Sequence, residues 1–416
     1  MNVLHLIAGE LDGGAAKGAY LLHKGLLNIN VDSNIVTNAK HDLEEKEILA
    51  LSKSFYFRFL FYINYHFVKL LERKYINRKK IIFSTGFDGI DLTKLKQFKN
   101  ADIIHLHWIN GLISLETIKN IKKPIVWSVR DLWPMTGGCH YPKIINCNYY
   151  QNECGNCKQL ASSKLNDLSN KIFKKKLNSY TSQIQFVGIS KWITEQAKKS
   201  KLLKKFNIKT IDNNIDTDTF YPIKKSIAKN KLGIVNKSKI ILVGAQRLND
   251  PSKGLQLFLD SIRSIENINK FFFIFFGILD ENKIKKYNLN FKNYGFVRDQ
   301  NILRLLYSSA SVFVAPSIVE SFGKTIAESM ACGTPVVAFN TSGPKDIIKH
   351  KKTGYLAEAY DTKELAKGIN FILSLSDSKY YLMSNAANKN ASYKYDPKNI
   401  AMQYKNLYLK MLNKSV

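Results

Sequence analysis

The sequence has no uninterrupted run of about 20 apolar residues, the length that a membrane-spanning helix requires. Its longest aromatic stretch, residues 55–71, is interrupted by Arg58, His66 and Lys69. We therefore expect no segment that crosses a bilayer. Residues 1–8 form a short apolar run without a basic leader, so we also expect no secretion signal and a location in the cytoplasm.

Acidic residues are scarce. The chain has 33 Asp and Glu against 63 Lys and Arg, a formal charge of +30. This excess favours polyanions, anionic lipids or phosphorylated substrates as partners. It is spread along the chain together with abundant Lys, Asn and Ile, so the composition of an AT-rich genome explains it equally well. Hydrophobic residues at 45% and charged residues at 23% exclude wholesale disorder and a polytopic membrane protein.

The length of 416 residues fits two domains of roughly 200 residues each. Short apolar runs alternate with amphipathic segments, which is typical of parallel sheets with helical crossovers. We predict an α/β fold with domains at 1–222 and 223–395, a boundary near the basic stretch 224–237, and a last helix at 396–416. The predicted strands are 2–7, 103–107, 125–129 and 186–189 in the first domain, and 240–244, 271–276, 312–315 and 335–339 in the second.

The segment 314–339, VAPSIVESFGKTIAESMACGTPVVAF, predicts a strand, a loop, a helix, a turn and a strand. Gly323 allows a ligand to approach the backbone, and the helix that begins near Lys324 offers N–H groups and a positive dipole end to a phosphate. Glu320 and Glu328 could then flank a bound diphosphate and accept hydrogen bonds from a sugar and a ribose, respectively. The alternative is that Glu320 caps the helix and Glu328 is a solvated helix residue.

The segment GAQRLNDPSKG, residues 244–254, follows a predicted strand. Arg247 and Lys253 lie there at the carboxyl end of the strand, where ligands bind in open α/β sheets. Two cations at this place could neutralise a leaving diphosphate, and stabilising developing charge is a large term in catalysis. The alternative is that both are ordinary surface cations of a basic chain.

The motif ESFGKTIAE, followed by SMACGTPVVA and preceded by GAQRLNDPSKG, resembles the donor domain of family 4 glycosyltransferases over most of residues 239–368. The resemblance implies the GT-B fold, with two doubly wound Rossmann-like domains facing a central cleft and a last helix that crosses back to the first domain. It implies transfer with retention of configuration and without a metal. Arg247, Lys253 and Glu320 match the family's catalytic residues. The implied donor-binding residues are Gly13, Gly14, Phe296, Val297, Ser321, Phe322, Gly323, Lys324, Thr325 and Glu328.

Two motifs of the first domain resemble a narrower group within this family. HLHWINGL and WSVRDLWPMTGGCHYPKIINCNYYQNECGNCKQL resemble transferases of colanic-acid-type polysaccharide clusters, in which a Gly-rich loop after the first strand, here 9–18 with Gly13 and Gly14, faces the donor. Many family members have His before Asp where this chain has Arg130 and Asp131. This pair could still position sugar or phosphate, but Arg130 cannot accept a proton.

His105 and His107 alternate on a predicted strand end and share one face. We take His107, nearer the carboxyl end of the strand, and Trp108 as candidates for the acceptor side. The alternative for each histidine is a packed side chain that is satisfied by backbone carbonyls.

Four of the five cysteines lie in one insertion, residues 137–160. In a reducing cytoplasm, Cys139, Cys147, Cys154 and Cys157 suggest a structural zinc site rather than disulfides. Their spacing, C-x7-C-x6-C-x2-C, is not a standard zinc-finger pattern, so two disulfides or four free thiols remain alternatives. No cofactor is expected to be required for catalysis.

Residues 53–80 mix Phe, Tyr and Leu with Lys and Arg. This composition favours a peripheral contact with an anionic membrane surface on the acceptor side, because acceptors in the resembling group are commonly lipid-linked. The alternative is a helix buried beneath the first sheet.

The resemblance to family 4 implies a retaining, metal-independent hexosyltransferase. It would move a sugar from a nucleotide diphosphate donor to a lipid-linked glycan in capsule, exopolysaccharide or O-antigen assembly, in the cytoplasm at the inner face of the cytoplasmic membrane. One alternative is a polyanion- or membrane-binding protein without transferase activity, which would explain the charge of +30 but not the Glu320 and Glu328 pattern. Another is a sugar-nucleotide epimerase on the same fold. Nucleic acid is not an expected partner.

Overall fold

The computed structural model describes residues 1–11, 13–38, 45–235 and 238–413, which form two compact units. Unit 1 comprises Met1–Asn213 and the C-terminal residues from Pro397 onward, and unit 2 comprises Asn214–Asp396. The chain passes into unit 2 earlier than residue 222, because the Ile215 N–H donates to the Tyr395 carbonyl at 3.0 Å. Positions 236 and 237 of the predicted boundary stretch lie outside the described residues.

Unit 1 is a parallel sheet in which strands alternate with helices. Its strands follow the order β3-β2-β1-β4-β5-β6-β7. The central strands β4 and β5 are buried along their whole length, as expected for a parallel sheet covered on both faces. The elements are β1 (Asn2–Ile7), α1 (Gly14–Leu27), β2 (Asp32–Thr37), β3 (Ile48–Ala50), α2 (Phe55–Glu72), α3 (Lys96–Asn100), β4 (Ile103–Leu106), α4 (Leu115–Asn120), β5 (Ile125–Val129), α5 (Leu168–Ser179), β6 (Ile184–Gly188), α6 (Lys191–Lys199) and β7 (Lys209–Thr210).

Unit 2 repeats the plan with a sheet of order β10-β9-β8-β11-β12-β13, again parallel throughout. Its core is formed by apolar residues of these strands and of the helices packed on them. The elements are α7 (Lys225–Lys231), β8 (Lys239–Arg247), α8 (Leu255–Ser261), β9 (Phe271–Ile278), α9 (Asn282–Lys285), β10 (Phe291–Asn293), α10 (Gln300–Ser309), β11 (Val312–Ala315), α11 (Lys324–Ala331), β12 (Val336–Phe339), α12 (Pro344–Ile347), β13 (Gly354–Ala357), α13 (Thr362–Leu373) and α14 (Asp377–Lys394).

The last helix, α15 (Pro397–Leu412), belongs to unit 1 and packs on α1. The two helices approach closely at Gly25, where an added Cβ would lie 2.6 Å from the Pro397 carbonyl oxygen. Tyr404 and Tyr408 are at most 3% exposed and join the same apolar cluster as β1 and α1. Removing α15 would therefore open the core of unit 1.

In each sheet the strand order reverses once, between β1 and β4 in unit 1 and between β8 and β11 in unit 2. Loops that follow two such strands diverge to opposite sides and leave a crevice at the carboxyl edge. This is the place where ligands bind in open α/β sheets. The loops after these four strands are therefore the first place to look for function.

The segment 53–80 contains α2, and the alternative of a helix buried beneath the first sheet is wrong. Across this helix, all of which the structure describes, Glu72 is the one buried residue. Among the described residues of the chain, no helix is both long enough and apolar enough to span a membrane.

Candidate functional site

The loops after β8 and β11 place Lys253 beside Glu320. The Lys253 Nζ donates to the Glu320 Oε1 at 2.7 Å, and the two side chains are 25% and 20% exposed. Burial opposes the charge of Lys253, but the neighbouring Glu320 carboxylate outweighs it and raises the pKa of the Lys253 ammonium. The Ser317 hydroxyl donates to the same carboxylate oxygen at 3.0 Å. This ion pair therefore lies at the crevice of unit 2, open to a ligand.

Glycine makes this approach of the two loops possible. Gly254 has a φ of 67°, and a Cβ at this position would lie 1.8 Å from the Pro316 carbonyl oxygen. The Ile318 N–H donates to the Ser252 carbonyl at 2.8 Å and ties the loops together. Because Gly254 follows Lys253 directly, the glycine fixes where the ammonium lies.

The loop after β12 holds the backbone of Glu320. The Glu320 N–H donates to the Ser342 hydroxyl at 3.1 Å, and the Gly343 N–H donates to the Glu320 carbonyl at 2.8 Å. Three loops, after β8, β11 and β12, thus converge on Glu320. Such support fixes a side chain more tightly than a single loop would.

Helix α11 begins beside this pair, directly after Gly323. The φ of Gly323, 106°, is a left-handed conformation. Ser321, Lys324 and Thr325 are partly exposed there. The first turn of α11 can therefore present backbone N–H groups to an anion. Phe322 is 3% exposed and packs on Tyr395 with ring centroids 5.1 Å apart, so only its backbone is available to a ligand.

Glu328 is nearly buried in unit 2. It is 4% exposed, and the Tyr307 hydroxyl donates to its Oε2 at 3.3 Å. The alternative of a solvated helix residue is therefore wrong. A carboxylate so deeply buried requires hydrogen-bond donors, because burying an unpaired charge is costly.

The remaining predicted residues of unit 2 lie at the same carboxyl edge. Arg247 ends β8 after a bulge that begins at Gly244, and its side chain is exposed. Phe296 and Val297 follow β10; Phe296 is 40% exposed, with the Arg298 guanidinium 5.7 Å from its ring centroid.

In unit 1, Arg130 follows β5 and is held by two neighbours. Its Nη1 donates to the Asn213 Oδ1 at 2.7 Å, and its Nη2 lies 3.1 Å from the His107 Nδ1. Burial lowers the pKa of Arg130 to about 10, so the guanidinium remains positive at neutral pH. At 7% exposure this is a nearly buried charge with a fixed direction.

The contact with Arg130 determines where the protons of two histidines lie. A guanidinium only donates, so the His107 Nδ1 accepts and its Nε2 carries the proton. That Nε2 lies 2.9 Å from the His5 Nδ1, so it donates to His5, whose proton is then on Nε2. Burial lowers the pKa of His107 and of His5 well below the ordinary value, and nearby cationic groups including Arg130 add to this effect. His107, which is 2% exposed, thus accepts a hydrogen bond from Arg130 through its Nδ1 and donates one to His5 through its Nε2.

His105 lies beside this pair and completes a cluster of three. Its Nδ1 lies 2.6 Å from the Tyr408 hydroxyl and its Nε2 lies 2.8 Å from the Ser128 hydroxyl. Among the described residues, His5, His105 and His107 are the one group whose donor atoms all lie within 4.8 Å and could hold a metal. The positive Arg130 beside the cluster disfavours a bound cation, so we interpret the group as a hydrogen-bond network.

Asp131 uses its carboxylate within unit 1. Its Oδ1 accepts from the Trp133 N–H at 2.8 Å, and its Oδ2 lies 2.7 Å from the Nδ1 of the buried His140. The Trp108 ring packs edge-on against His140, with centroids 5.7 Å apart. Asp131 therefore fixes the position of His140, against which the Trp108 ring packs.

Three buried polar atoms near the end of β4 make no hydrogen bond to the described residues. The Trp108 Nε1 and both amide atoms of Asn110 are buried and have no hydrogen-bond partner within the described part of the chain. Such atoms can bond a polar ligand or an ordered water. Asn110 was not a candidate from sequence, since nothing in HLHWINGL distinguishes it from a turn residue.

The Gly-rich loop leads to an open helix start. At Gly13 and Gly14, no heavy atom of the described residues comes within 4 Å of an added Cβ, so a ligand could approach the N-terminus of α1. At Gly18 a Cβ would lie 2.5 Å from the Asn213 Oδ1 and 2.6 Å from the Arg130 Nη1. Asp12, within the predicted loop 9–18, lies outside the described residues.

All five cysteines are described and are free thiols. Cys139 and Cys157 form a mutual hydrogen bond, and the Gly137 N–H donates to the Cys154 Sγ at 3.2 Å. No three sulfurs of the cluster lie within 4.8 Å of one another, so a tetrahedral zinc site would require side-chain rotations. Zinc binding stays a prediction.

Comparison with known sequences points to one family. Residues 224–390 match the family model of glycosyl transferases group 1. An uncharacterized glycosyltransferase of Methanocaldococcus jannaschii is 39% identical over 114 residues, 27% of this chain and 29% of that protein. The N,N'-diacetylbacillosaminyl-diphospho-undecaprenol alpha-1,3-N-acetylgalactosaminyltransferase of Campylobacter jejuni is 30% identical over 203 residues, 47% of this chain and 52% of that protein. The chain thus spans between about a third and about half of the length of these relatives.

Solved structures match over the whole chain. The sucrose-phosphate synthase of Thermosynechococcus elongatus superimposes with a TM-score of 0.71 at 18% identity, covering 100% of both chains. Anabaena HepE in complex with UDP-glucose gives 0.63 at 17% identity, covering 99% of this chain and 100% of that one. With its two parallel-sheet α/β units, the chain has the GT-B fold.

Proposed function

We propose that this protein is a glycosyltransferase that moves a sugar from a nucleotide diphosphate donor to a glycan acceptor. The observation that carries the proposal is the Lys253–Glu320 pair at the crevice between β8 and β11. The pair lies within the residues that match the group 1 family. A cation and a carboxylate, side by side at a helix N-terminus, suit a ligand that carries both phosphate and hydroxyl groups.

In this proposal the donor binds to unit 2. The first turn of α11 and the cations Arg247 and Lys253 bind the diphosphate, and Glu320 accepts a hydrogen bond from a sugar hydroxyl. Glu328 accepts from the ribose diol, which adds donors to a buried carboxylate that already takes one from Tyr307. Phe296 and Val297 lie against the base.

The reaction breaks the bond between the anomeric carbon and the diphosphate oxygen and forms a bond from that carbon to an acceptor oxygen. The cations and the helix stabilise the charge that develops on the leaving diphosphate. The departing phosphate oxygen takes the proton of the acceptor hydroxyl. We propose retention of configuration and no need for a metal, on the resemblance to family 4 enzymes.

We propose that unit 1 serves the acceptor side. Arg130, charged and fixed by Asn213 and His107, positions a sugar or phosphate group, and Trp108 with Asn110 offers an aromatic face and free polar atoms. The name of the Campylobacter jejuni relative describes a diphospho-undecaprenol-linked substrate. This supports a lipid-linked acceptor. We further propose that transfer takes place at the inner face of the cytoplasmic membrane, in capsule, exopolysaccharide or O-antigen assembly.

The test is binding and hydrolysis of a panel of UDP-, GDP- and other activated sugars by the full chain and two variants, Glu320→Ala and Arg247→Ala. We expect one donor to bind and to lose binding in both variants. Glu266→Ala and Arg263→Ala, which remove exposed charges of unit 2, are the matched controls and should bind as the unchanged protein does.

Other outcomes would favour the rival functions. Salt-sensitive binding of polyanions without binding of any activated sugar would overturn the transferase in favour of a binding protein. Conversion of the donor to an epimer without any acceptor would favour an epimerase.

A further inference from the structure

Helix α2 exposes an apolar surface of unusual extent. Its outer side carries eight large apolar side chains whose exposed fractions run from 47% to 75%. A large aromatic side chain has roughly 150–250 Å² of surface, so the eight together expose an area on the order of 1,000 Å². The largest apolar patch of a typical soluble monomer is about 300–600 Å². The eight residues are Phe55, Tyr56, Phe59, Tyr62, Ile63, Tyr65, Phe67 and Leu70.

The opposite side of α2 fastens the helix to unit 1. The Asn64 Nδ2 donates to the Gly89 carbonyl at 3.1 Å, and Leu71 packs against the apolar cluster that contains Phe83. The helix is thus held by one side, so its exposed face is a fixed surface and not the side of a loose segment. A surface of this kind signals a partner.

The charge around the helix selects the kind of partner. Residues 53–80 contain eight Lys or Arg and one acidic residue, Glu72. That carboxylate is already neutralised, since the Arg78 Nη1 lies 2.9 Å and the Lys69 Nζ lies 3.6 Å from its oxygens. The surface is therefore apolar at its centre and positive at its edges.

A pocket of about 560 Å³ lies at the C-terminal end of the helix and combines both properties. Lys69, Arg73 and Arg78 line it together with Leu70 and Ile76. Ile76 is 89% exposed. Arginines in such a place bind phosphate oxygens through paired hydrogen bonds, while the aliphatic neighbours lie against hydrocarbon.

From these observations we infer that the outer face of α2 docks on an anionic phospholipid bilayer. The aromatic side chains enter the boundary between headgroups and acyl chains, and the basic pocket binds headgroup phosphates. Tyrosine hydroxyls can stay at headgroup depth while their rings are buried, which explains why tyrosine and phenylalanine alternate here. A protein partner would need a large acidic and apolar face to match, whereas an anionic bilayer supplies both properties at once.

The experiment is co-sedimentation of the full chain with vesicles of phosphatidylcholine alone or with one quarter phosphatidylglycerol, without any sugar nucleotide. We expect about tenfold more binding to the anionic vesicles, falling as salt is raised. The variant Phe59→Ser/Ile63→Ser should lose at least about tenfold of this binding. The matched control, Tyr381→Ser/Leu382→Ser, removes two side chains that are each 67% exposed on α14 and should bind normally.

A second pair of variants tests the charge. Arg73→Glu/Lys74→Glu should abolish the preference for anionic vesicles, and Lys198→Glu/Lys199→Glu, on the exposed end of α6, should not. Thermal melting of every variant, followed by circular dichroism, separates lost binding from lost folding.

Three results would overturn the inference: equal binding to both vesicle types, equal loss in the controls, or self-association that Phe59→Ser/Ile63→Ser abolishes. The last would identify the face as a contact between two copies. Because binding is measured without a donor, failure here leaves the proposed transferase standing, and failure of transfer leaves the membrane inference standing.

Discussion

Lys253 and Glu320 are bonded to each other, Nζ to Oε1 at 2.7 Å, although one is proposed to bind the donor diphosphate and the other the donor sugar. The pairing organises the site before a ligand arrives. The Glu320 carboxylate keeps Lys253 charged, and the contact orients both side chains. A donor therefore meets a site that needs little rearrangement, and preorganised charges are the effective ones in catalysis.

Removing the ammonium tests this pair directly. We expect Lys253→Ala to lower kcat/KM by roughly 10²–10³, the usual effect of losing one preorganised group that stabilises developing charge. The control is Lys367→Ala, because Lys367 makes an ion pair of equal length, 2.7 Å, with Glu364 on the exposed side of α13. Steady-state kinetics, with the donor that the panel of activated sugars identifies, is the measurement. Equal activity of the two variants would contradict the assignment.

Gly18 offers a test of Arg130 as a positioned group. A Cβ at Gly18 would displace the ends of two side chains, Arg130 and Asn213, which can move at small cost to stability. We expect Gly18→Ala to reduce kcat or raise the acceptor KM about tenfold or more, with little change in Tm. By contrast, the Cβ of Gly25→Ala would meet a backbone carbonyl, that of Pro397, at 2.6 Å.

Gly25→Ala therefore serves as the matched control for Gly18→Ala. A backbone contact cannot rotate away, so this variant should lower the Tm and leave the activity of the folded fraction unchanged. The opposite pattern in the two variants, with Tm lost at position 18 and activity lost at position 25, would refute the role given to Arg130.

Lys225 should make stability depend on pH. Burial, with the nearby Lys229 and Lys239, lowers its pKa to about 7, and its Nζ donates to the Tyr380 hydroxyl at 2.6 Å. Between pH 7 and about 10 the unfolded chain binds this proton more than the native protein does, so the free energy of unfolding should rise with pH across this window. Below pH 7 both states are protonated and the effect is constant.

The variant Lys225→Met should remove this dependence of the free energy of unfolding on pH. The measurement is urea unfolding at pH 7, 8 and 9. As the pH falls, the free energy of unfolding of the unchanged protein should fall relative to that of the variant, whatever the absolute stability of the variant. Lys198→Met, at an exposed position of α6, is the control. A difference between Lys225→Met and the unchanged protein that stays the same at all three pH values would contradict the prediction.

Metal analysis decides the predicted zinc site. We expect one zinc per chain after purification under reducing conditions, since the four free thiols of one insertion supply the four sulfur ligands that a structural zinc takes. Cys157→Ser should lose the metal, whereas Cys332→Ser, which alters a buried cysteine of unit 2, should retain it. Metal-free protein with five reactive thiols after unfolding would refute the site.

The fold could be predicted where strands are apolar throughout. The strands at 2–7, 125–129 and 312–315 match β1, β5 and β11 to the residue, because central strands of parallel sheets are buried on both faces. By contrast, β2 has the sequence DSNIVT, and β7 consists of two residues, Lys209 and Thr210. A short or polar edge strand leaves no hydrophobic pattern to recognise, and only its neighbours in the sheet define it.

The candidate site was predictable to the extent that it lies in contiguous motifs. Glu320 and Lys253 could each be proposed from their own segment, but their contact depends on two loops 67 positions apart in the chain. That Asn213 holds Arg130 could not be predicted, because the two residues lie 83 positions apart in the chain. The hydrogen bonds of His107 likewise come from the packing of β1 against β4, which no local spacing encodes.

The covalent path of the chain makes unit 2 an insertion within unit 1, since the chain leaves unit 1 at Asn213 and returns to it at Pro397. A stop codon near the C-terminus would therefore damage the N-terminal half of the protein. It would remove Tyr404 and Tyr408, whose hydroxyls bond Ser128 and His105. The segment 214–396, in contrast, contains every strand of its own sheet. It is therefore the part of the protein to express alone.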